Sequence, residues 1–337
     1  MFVDCDDSLA FAGGVGGPEA LVALSGVAPA EDRFAVALWR ACGQAGPPLR
    51  VATGATGPLP GPGWRELLVC RAAGLSPYTA LRELTAAGEA LPGPVACLTL
   101  GGDGLHGQHG RAWVAVRGNL HLSVAMPCDL EAALCAPSLP MLAGVALAEA
   151  AEDLAGAEAA LGAGLGLKWV NDLVAGSDTE GWRKLGGVLT ALRTSGPRVT
   201  TVFAGLALNL AVAPPLPPDP FALPAAALAD AVRPGPPPTL AAAALAVLAR
   251  LRERLAALAA NGPAGLVDAY RARSIVLGRE VAVWDAAARL AGTAPVPSPR
   301  RRGLVTGILP DLGLLLDGQD EPVRDGCLRL AGEPANR

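Results

Sequence analysis

Residues 168–192 read KWVNDLVAGSDTEGWRKLGGVLTAL. They hold both lysines of the chain, Lys168 and Lys184. Every other basic side chain is an arginine, apart from three histidines. In a chain this rich in Ala, Gly, Arg and Pro, a retained lysine marks a place that needs a compact, deeply reaching ammonium and not a planar guanidinium. The stretch reads as a hairpin, with KWVNDLVA and RKLGGVLTAL as strands and GSDTEG as the loop. Its lysines then lie on partner strands and point into one cleft. Ammonium groups there neutralise a carboxylate, or a phosphate whose charge grows in a transition state. Asp172, four residues after Lys168, has the same strand-face parity. It is placed to pair with a lysine or a metal, or to accept a proton. The plainer account of each lysine is an exposed side chain with its head in water, and the concentration of both in one stretch argues against it.

Other scarce polar residues collect nearby. Asn119, Asn171 and Asn209 sit inside strand-like apolar runs, where an amide is costly unless its donors and acceptors are matched. His106, His109 and His121 fall within sixteen residues of one another. The HGQH spacing is loose for a metal site and no fourth ligand is evident, so solvation of a loop is the preferred account of the histidines. The glycine-rich loop GGDGLHGQHG ends in Arg111 and can wrap an anion with backbone N–H groups. It matches neither GxxxxGK[ST] nor GxGxxG. With the lysines, it suggests a phosphate-bearing ligand held between loop and sheet. Trp113 fits packing and ligand stacking equally well.

At 337 residues the chain is large enough for two domains. A net charge of -4 and 17% charged residues leave no basic field for nucleic acid. No apolar run reaches the length of a membrane span, and the acidic start lacks a signal peptide's basic region. Seven scattered cysteines fit neither a disulfide framework nor a CxxC metal site, so a reducing cytoplasm is expected.

Four parts are expected along the chain. Residues 1–63 form an N-terminal extension of unknown role, with short helices at 19–24 and 32–42. Residues 64–273 form the main domain. It holds a strand at RELLVCRA, a helix opened by Ser76 and Pro77, a strand at PVACLTL, a strand pair at 113–116 and 119–126, and a helix over 140–161. The central hairpin, an apolar strand at VTTVFAGLALNLAV and helices over 239–260 and 265–273 follow. Residues 274–331 contain only short strands, at REVAVWDA, RLAGTA, GLVTGILPDLGLLLD and PVRDGCLRL, as in a small barrel. Residues 332–337 are a tail.

KWVND, RKLGG and GLALN, with an upstream GRAW and GNLHLSV, resemble the biotin–protein ligase family. That family shows a GRGRRGRxW loop, GxNLYLS, KWPND, GRKLxGIL and GIGIN in the same order. The resemblance covers about 65–331. It implies an α+β fold, with a mixed sheet flanked by helices and a C-terminal SH3-like barrel. It implies a two-step reaction: the carboxylate of biotin attacks the α-phosphate of ATP, and a lysine of a biotin carboxyl carrier domain then takes the acyl group and releases AMP. Mg²⁺ is expected near Asp172. By resemblance Lys184 contacts the carboxylate and phosphate, Lys168 supports it, and Asn171 and Asp172 sit beside the phosphates. Arg111 binds phosphate, Trp113 lies against the adenylate and Asn209 reads adenine. Ser76, Gly107, Gly110, Asn119, Gly186 and Gly187 complete the expected binding set. No DNA-binding domain is expected, hence no repressor.

The departures bear on the acid. Pro77 and Tyr78 stand in the family's Ser-Thr-Asn entry to the first helix, and Gly102 or Asp103 replaces its Gln. Val170 replaces the proline of KWPND. A same-fold ligase for lipoate or octanoate, and a non-catalytic binding relative, are the competing readings. His106, Gln108 and His109 stand where the family has arginines. Fewer fixed charges are expected to release acyl-adenylate into solution, measured as loss of the intermediate during gel filtration; full retention would contradict this.

Overall fold

The computed structural model describes residues 21–23, 33–43, 49–51, 64, 66–216, 219–232, 238–287 and 297–331. The described strands of the first part are β1 (Leu21–Ala23), β2 (Leu49–Val51), β3 (Glu66–Cys70), β4 (Val95–Thr99), β5 (Leu120–Glu131), β6 (Gly166–Lys168), β7 (Asp172–Ser177), β8 (Gly181–Ser195) and β9 (Arg198–Leu208). They form one sheet in the order β1-β2-β3-β4-β5-β9-β8-β7-β6. Only β3 and β4 pair in parallel, joined across helix α2 (Pro77–Ala86); the other pairs are antiparallel. The fold is therefore mixed α+β. Part of the expected N-terminal extension has a place in it. The segment at 21–23 is a strand, not a helix, and helix α1 (Arg33–Ala41) forms where one was expected.

Strand alternation decides what each face carries. On β5, Leu122 and Val124 belong to the main core, while Ala125 joins a second core on the opposite face. The main core is covered by α4 (Leu139–Ala155), α7 (Leu240–Asn261) and α8 (Ala264–Arg273). Short helices α3 (Ala132–Cys135), α5 (Ala157–Gly162) and α6 (Leu228–Ala231) sit at connections. Helix α4 ends at Gly156 (φ 82), so the expected single helix over 140–161 is two. Leu139 and Leu142 of α4 and Leu251 and Leu258 of α7 bury the apolar stripes that make these helices. Thr239 caps α7 by accepting from the Ala242 N–H at 3.1 Å. Glu149 on α4 is buried and meets Arg254 of α7 and Arg273 of α8, so the charge is paired where three helices join. The opposite face carries α1 and α2 over β3 and β4, where Phe34, Leu38, Tyr78 and Leu81 pack. Among the described residues six cysteines are outside any disulfide, including Cys70 and Cys97 with sulfurs 3.4 Å apart.

The central stretch differs from the single hairpin read from its sequence. KWVND is a turn: Lys168 ends β6, Asp172 opens β7, and their Cα atoms are opposite one another. The Trp169–Val170 peptide is cis. Residues 113–116 are also not a strand; Trp113 bonds back to the Leu105 carbonyl in a loop.

The C-terminal part holds β10 (Glu280–Trp284), β11 (Arg301–Ile308), β12 (Leu314–Leu316) and β13 (Cys327–Leu330), in the antiparallel order β12-β11-β10-β13. The strand expected at RLAGTA lies outside the described residues. Val281, Val305 and Leu314 continue the main core, so this small sheet docks directly on the large one. Three polar contacts fix the joint. Trp169 Nε1 donates to Leu312 O at 2.7 Å, Arg271 donates to Ile308 O, and Ile275 N donates to Leu167 O at 2.9 Å. Among the described residues no helix is long and apolar enough to cross a membrane. Trp169→Phe removes the bond to Leu312 and part of the ring, and is expected to cost about 1–3 kcal/mol in urea denaturation; unchanged stability would remove this contact from the joint.

Candidate active site

A cavity of about 390 Å³ lies on the sheet face that α1 and α2 only partly cover. Its floor is set by strand register. His121 of β5 stands opposite Ala207 of β9, Ala207 opposite Gly187 of β8, and Gly187 opposite Asp172 of β7. Opposed residues share a face, so this row crosses four strands on the cavity side. One pleat further along, Ser123, Gly205 and Leu189 form a parallel row. The middle of both rows is small, which hollows the floor.

Lys184 reaches the same face through a bulge. It is three residues from Gly187, and in a regular strand that spacing puts two side chains on opposite faces. The register between β7 and β8 shifts at Leu173/Val174, so Lys184 faces Val174 and joins the Asp172 side. Its backbone is held from outside the hairpin: Lys184 N donates to Pro224 O at 2.8 Å, and Ala226 N donates to Lys184 O at 2.9 Å. Lys184 Nζ then lies 2.6 Å from Asp172 Oδ1 and 5.4 Å from the centre of the Trp113 ring. Both side chains of the pair remain about a quarter or less exposed. The arrangement presents a partly desolvated ammonium, fixed by a carboxylate, to whatever fills the cavity.

The other walls come from loops. Residues 105–113 fold back on themselves, with Gly107 N bonded to Arg111 O at 2.7 Å and Trp113 N to Leu105 O at 3.0 Å. His109 (φ 58) and Gly110 (φ 71) make the reversal. Arg111 Nε donates to Gln108 O at 3.1 Å. Tyr78, at the start of α2, lies against Gly205, its ring 3.4 Å from where a Cβ would stand. His106 Nε2 shares a 2.7 Å hydrogen bond with Thr79 Oγ1. At the opposite end lie Asn209, Pro214, Asp219 and Ala225. Asn209 donates to Ala226 O at 3.1 Å, so residues 224–226 hold both its amide and the Lys184 backbone.

Of the residues expected at the site, Ser76, Gly107, Arg111, Trp113, Asn171, Asp172, Lys184, Gly187 and Asn209 line this cavity. Four do not. Lys168 is buried one strand beyond Asp172. Asn119 is buried and accepts from Leu210 N at 3.0 Å while donating to Val212 O at 2.8 Å, so it braces the turn after β9. Gly186 faces away; a Cβ there would run into the Ala207 carbonyl. Gly110 serves loop conformation, with open space around its missing side chain. The glycine loop is likewise divided. Gly102 and Gly104 allow a tight crossing of the 73–75 backbone, and only the 105–113 part reaches the cavity.

The histidines do not gather. His106 and His121 line the cavity, while His109 is exposed. His121 is 3% exposed, with the Val116 backbone beside its ring. Burial pushes its pKa down to about 4, with the Val116 backbone acting in the opposite sense. Among the described residues Trp113 Nε1 is a buried polar atom without a hydrogen bond. Among the described residues no group of three His, Cys, Asp or Glu is spaced to hold a metal. The described residues therefore offer no metal cage; a Mg²⁺ brought in by a nucleotide would keep its phosphate and water ligands and find two cavity-lining carboxylates, Asp172 and, at the opposite end, Asp219.

Comparison with solved structures identifies the fold. Biotin protein ligase from Aquifex aeolicus, as an R40G mutant in complex with biotin, matches with a TM-score of 0.56 and 19% identity over 78% of this chain and 97% of that one. The same organism's enzyme in complex with biotin and ATP matches with a TM-score of 0.53 and 18% identity, over the same shares. The chain has the biotin protein ligase fold. No protein-family model and no curated protein matches the sequence. Within this fold, the two glycines of RKLGG separate two roles. Gly186→Ala is expected to destabilise by about 1–3 kcal/mol through backbone overlap. Gly187→Ala places a methyl 3.3 Å from Asp172 Oδ1 and 3.5 Å from Lys184 Nζ, and is expected to leave stability near wild type while weakening nucleotide binding. Thermal melts and nucleotide titrations of both variants check the contrast.

Proposed function

We propose that the protein is an ATP-dependent biotin–protein ligase, acting in the cytoplasm on a lysine of a biotin carboxyl carrier domain. The observation that carries this reading is the Lys184–Asp172 pair at 2.6 Å, set on the rim of one cavity with Asn171, Arg111, Trp113 and Asn209. The solved relatives of this fold are described in complex with biotin, and with biotin and ATP.

In this reading the acid lies across the small floor residues Gly187 and Ala207, with its carboxylate at Lys184. A carboxylate oxygen attacks the α-phosphorus of ATP, the bond to the pyrophosphate oxygen breaks, and pyrophosphate leaves. Lys184 neutralises charge shared between carboxylate and α-phosphate. Its value rests on being held before the reaction by Asp172 and by the backbone of 224–226. Asn171, tied to Val188 O through Nδ2 at 2.6 Å, fixes the turn that carries Asp172. Asn209 and the 214–225 segment take the adenine end, with Trp113 beside the adenylate and Arg111 near the phosphates. In the second step the acceptor amine attacks the acyl carbon, AMP leaves, and Asp172 is the carboxylate placed to receive the proton. The terminal sheet is read as the family's small barrel, buttressing the Trp169 turn.

A second reading has one observation in its favour. Tyr78 presents an aromatic ring to the cavity over Gly205, which suits an aliphatic acid such as lipoate or octanoate. Acid-dependent exchange of pyrophosphate into ATP, with Mg²⁺, separates the two. Biotin is expected to support exchange; exchange with octanoate or lipoate alone would establish the second reading. Lys184→Ala is expected to lower the exchange rate about 10²–10³-fold, and Lys184→Arg is expected not to restore it. Wild-type rates in Lys184→Ala would remove the lysine from the reaction.

A further inference from the structure

The 105–113 loop is tied to helix α2 by a bond that belongs neither to the turns of the loop nor to the helix ladder. His106 Nε2 and Thr79 Oγ1 share a hydrogen bond of 2.7 Å. A threonine inside a helix commonly turns its hydroxyl back to the carbonyl four residues earlier. On the same helix Thr85 does so, with Oγ1 donating to Leu81 O at 2.7 Å. Thr79, in the first turn, directs its hydroxyl across space to the loop. The His106 ring also lies edge-on to the Tyr78 ring, with centroids 6.3 Å apart.

Two further ties join the same partners. Ala73 N donates to Gly101 O at 2.9 Å, and Gly104 N donates to Ala73 O at 3.0 Å. The base of the loop is therefore fastened to the residues just before α2, and His106 extends the attachment onto the helix itself. Within the loop, His106 pairs with Ala112 as an isolated antiparallel bridge, flanked by the bonds from Gly107 N to Arg111 O and from Trp113 N to Leu105 O. The position of His106 is passed in this way to the two residues beside Ala112. Both of them, Arg111 and Trp113, line the cavity, and the Trp113 ring is centred 5.4 Å from Lys184 Nζ. A position that holds an arginine in the resembled family is here an anchor.

We propose that His106 is a positioning residue: bonded to Thr79, it clips the 105–113 loop to α2 before any ligand arrives, so that Arg111 and Trp113 already stand at the cavity when a nucleotide enters. That the ligand is a nucleotide rests on the ligase reading. A wall ordered in advance loses no ordering entropy on binding, so the clip adds affinity without touching the ligand. His106 acts through the loop and not on the reacting atoms.

Trypsin reads the loop in the full chain without ligand. Cleavage after Arg111 follows the open population of the loop, and cleavage after Arg250 on α7 follows opening of the main core. Thr79→Val removes the hydroxyl at nearly constant shape. It is expected to speed cleavage after Arg111 about three- to tenfold and to leave Arg250 unchanged. Thr79→Ser, and His106→Gln, which keeps a polar group at similar reach, should return the wild-type rate. The double variant His106→Ala/Thr79→Val should open no more than His106→Ala alone. Calorimetric titration with ATP should show Thr79→Val binding about three- to tenfold more weakly, with Thr79→Ser restored. An unchanged Arg111 rate in Thr79→Val overturns the proposal, as do equal increases at Arg111 and Arg250, or a Thr79→Ser that behaves as Thr79→Val. Faster cleavage with unchanged ATP affinity overturns the positioning role. Pyrophosphate exchange on the wild type judges the ligase reading separately: no exchange with any acid removes that reading, while cleavage and ATP titration still decide the clip. A wild type that binds no ATP overturns both.

Discussion

One extra residue in β8 governs the site. Without the register shift at Leu173/Val174, Lys184 and Gly187 would face opposite sides of the sheet, as residues three apart in a strand must. The ammonium would then lie away from the floor that the small residues hollow out. With the shift, the same five residues, RKLGG, supply a charge and the open space beside it. The bulge is in turn supported from outside the hairpin. Residues 224–226 take over the backbone bonds of Lys184 that the shifted partner strand leaves open. The position of that ammonium is thus a property of the β7–β8 hairpin and of a segment distant from it in sequence.

Glycine is used for separate purposes within single motifs. Gly102 and Gly104 let two backbones cross, Gly110 supplies a left-handed turn, Gly186 permits strand pairing, and Gly187 faces the cavity. A glycine-rich stretch here is therefore not one phosphate cradle. Its first half is structural, and its second half forms a wall in which Arg111 is the fixed positive charge.

Much of the site was legible because rare residues stand out against a biased composition. Lys184, Asp172, Asn171 and Asn209 stand out this way and line the candidate cavity, and the strands nearest them follow from apolar runs and turn residues. Two errors have physical causes. Parity along KWVND assumed a straight strand, but the chain turns at 169–171, so Lys168 and Asp172 face each other across a ladder. Asn119 was grouped with ligand-facing amides, although a strand-end amide can equally brace a turn. His121 was set aside with the loop histidines. The alternation in GNLHLSV put it on the same face as Asn119 and Ser123, which was the available signal.

The contact between Leu167 and Ile275 decides where the large sheet ends. Strand β6 is its last member, and an outermost strand exposes a row of unpaired amides and carbonyls that can recruit another chain. Here the segment entering the terminal sheet runs parallel to β6 at Leu167 and Ser274, and Ile275 N donates to the Leu167 carbonyl. The same few residues that lead into the small sheet thus act as a stopper on the big one. On this flank the sheet edge is covered by the chain's own continuation.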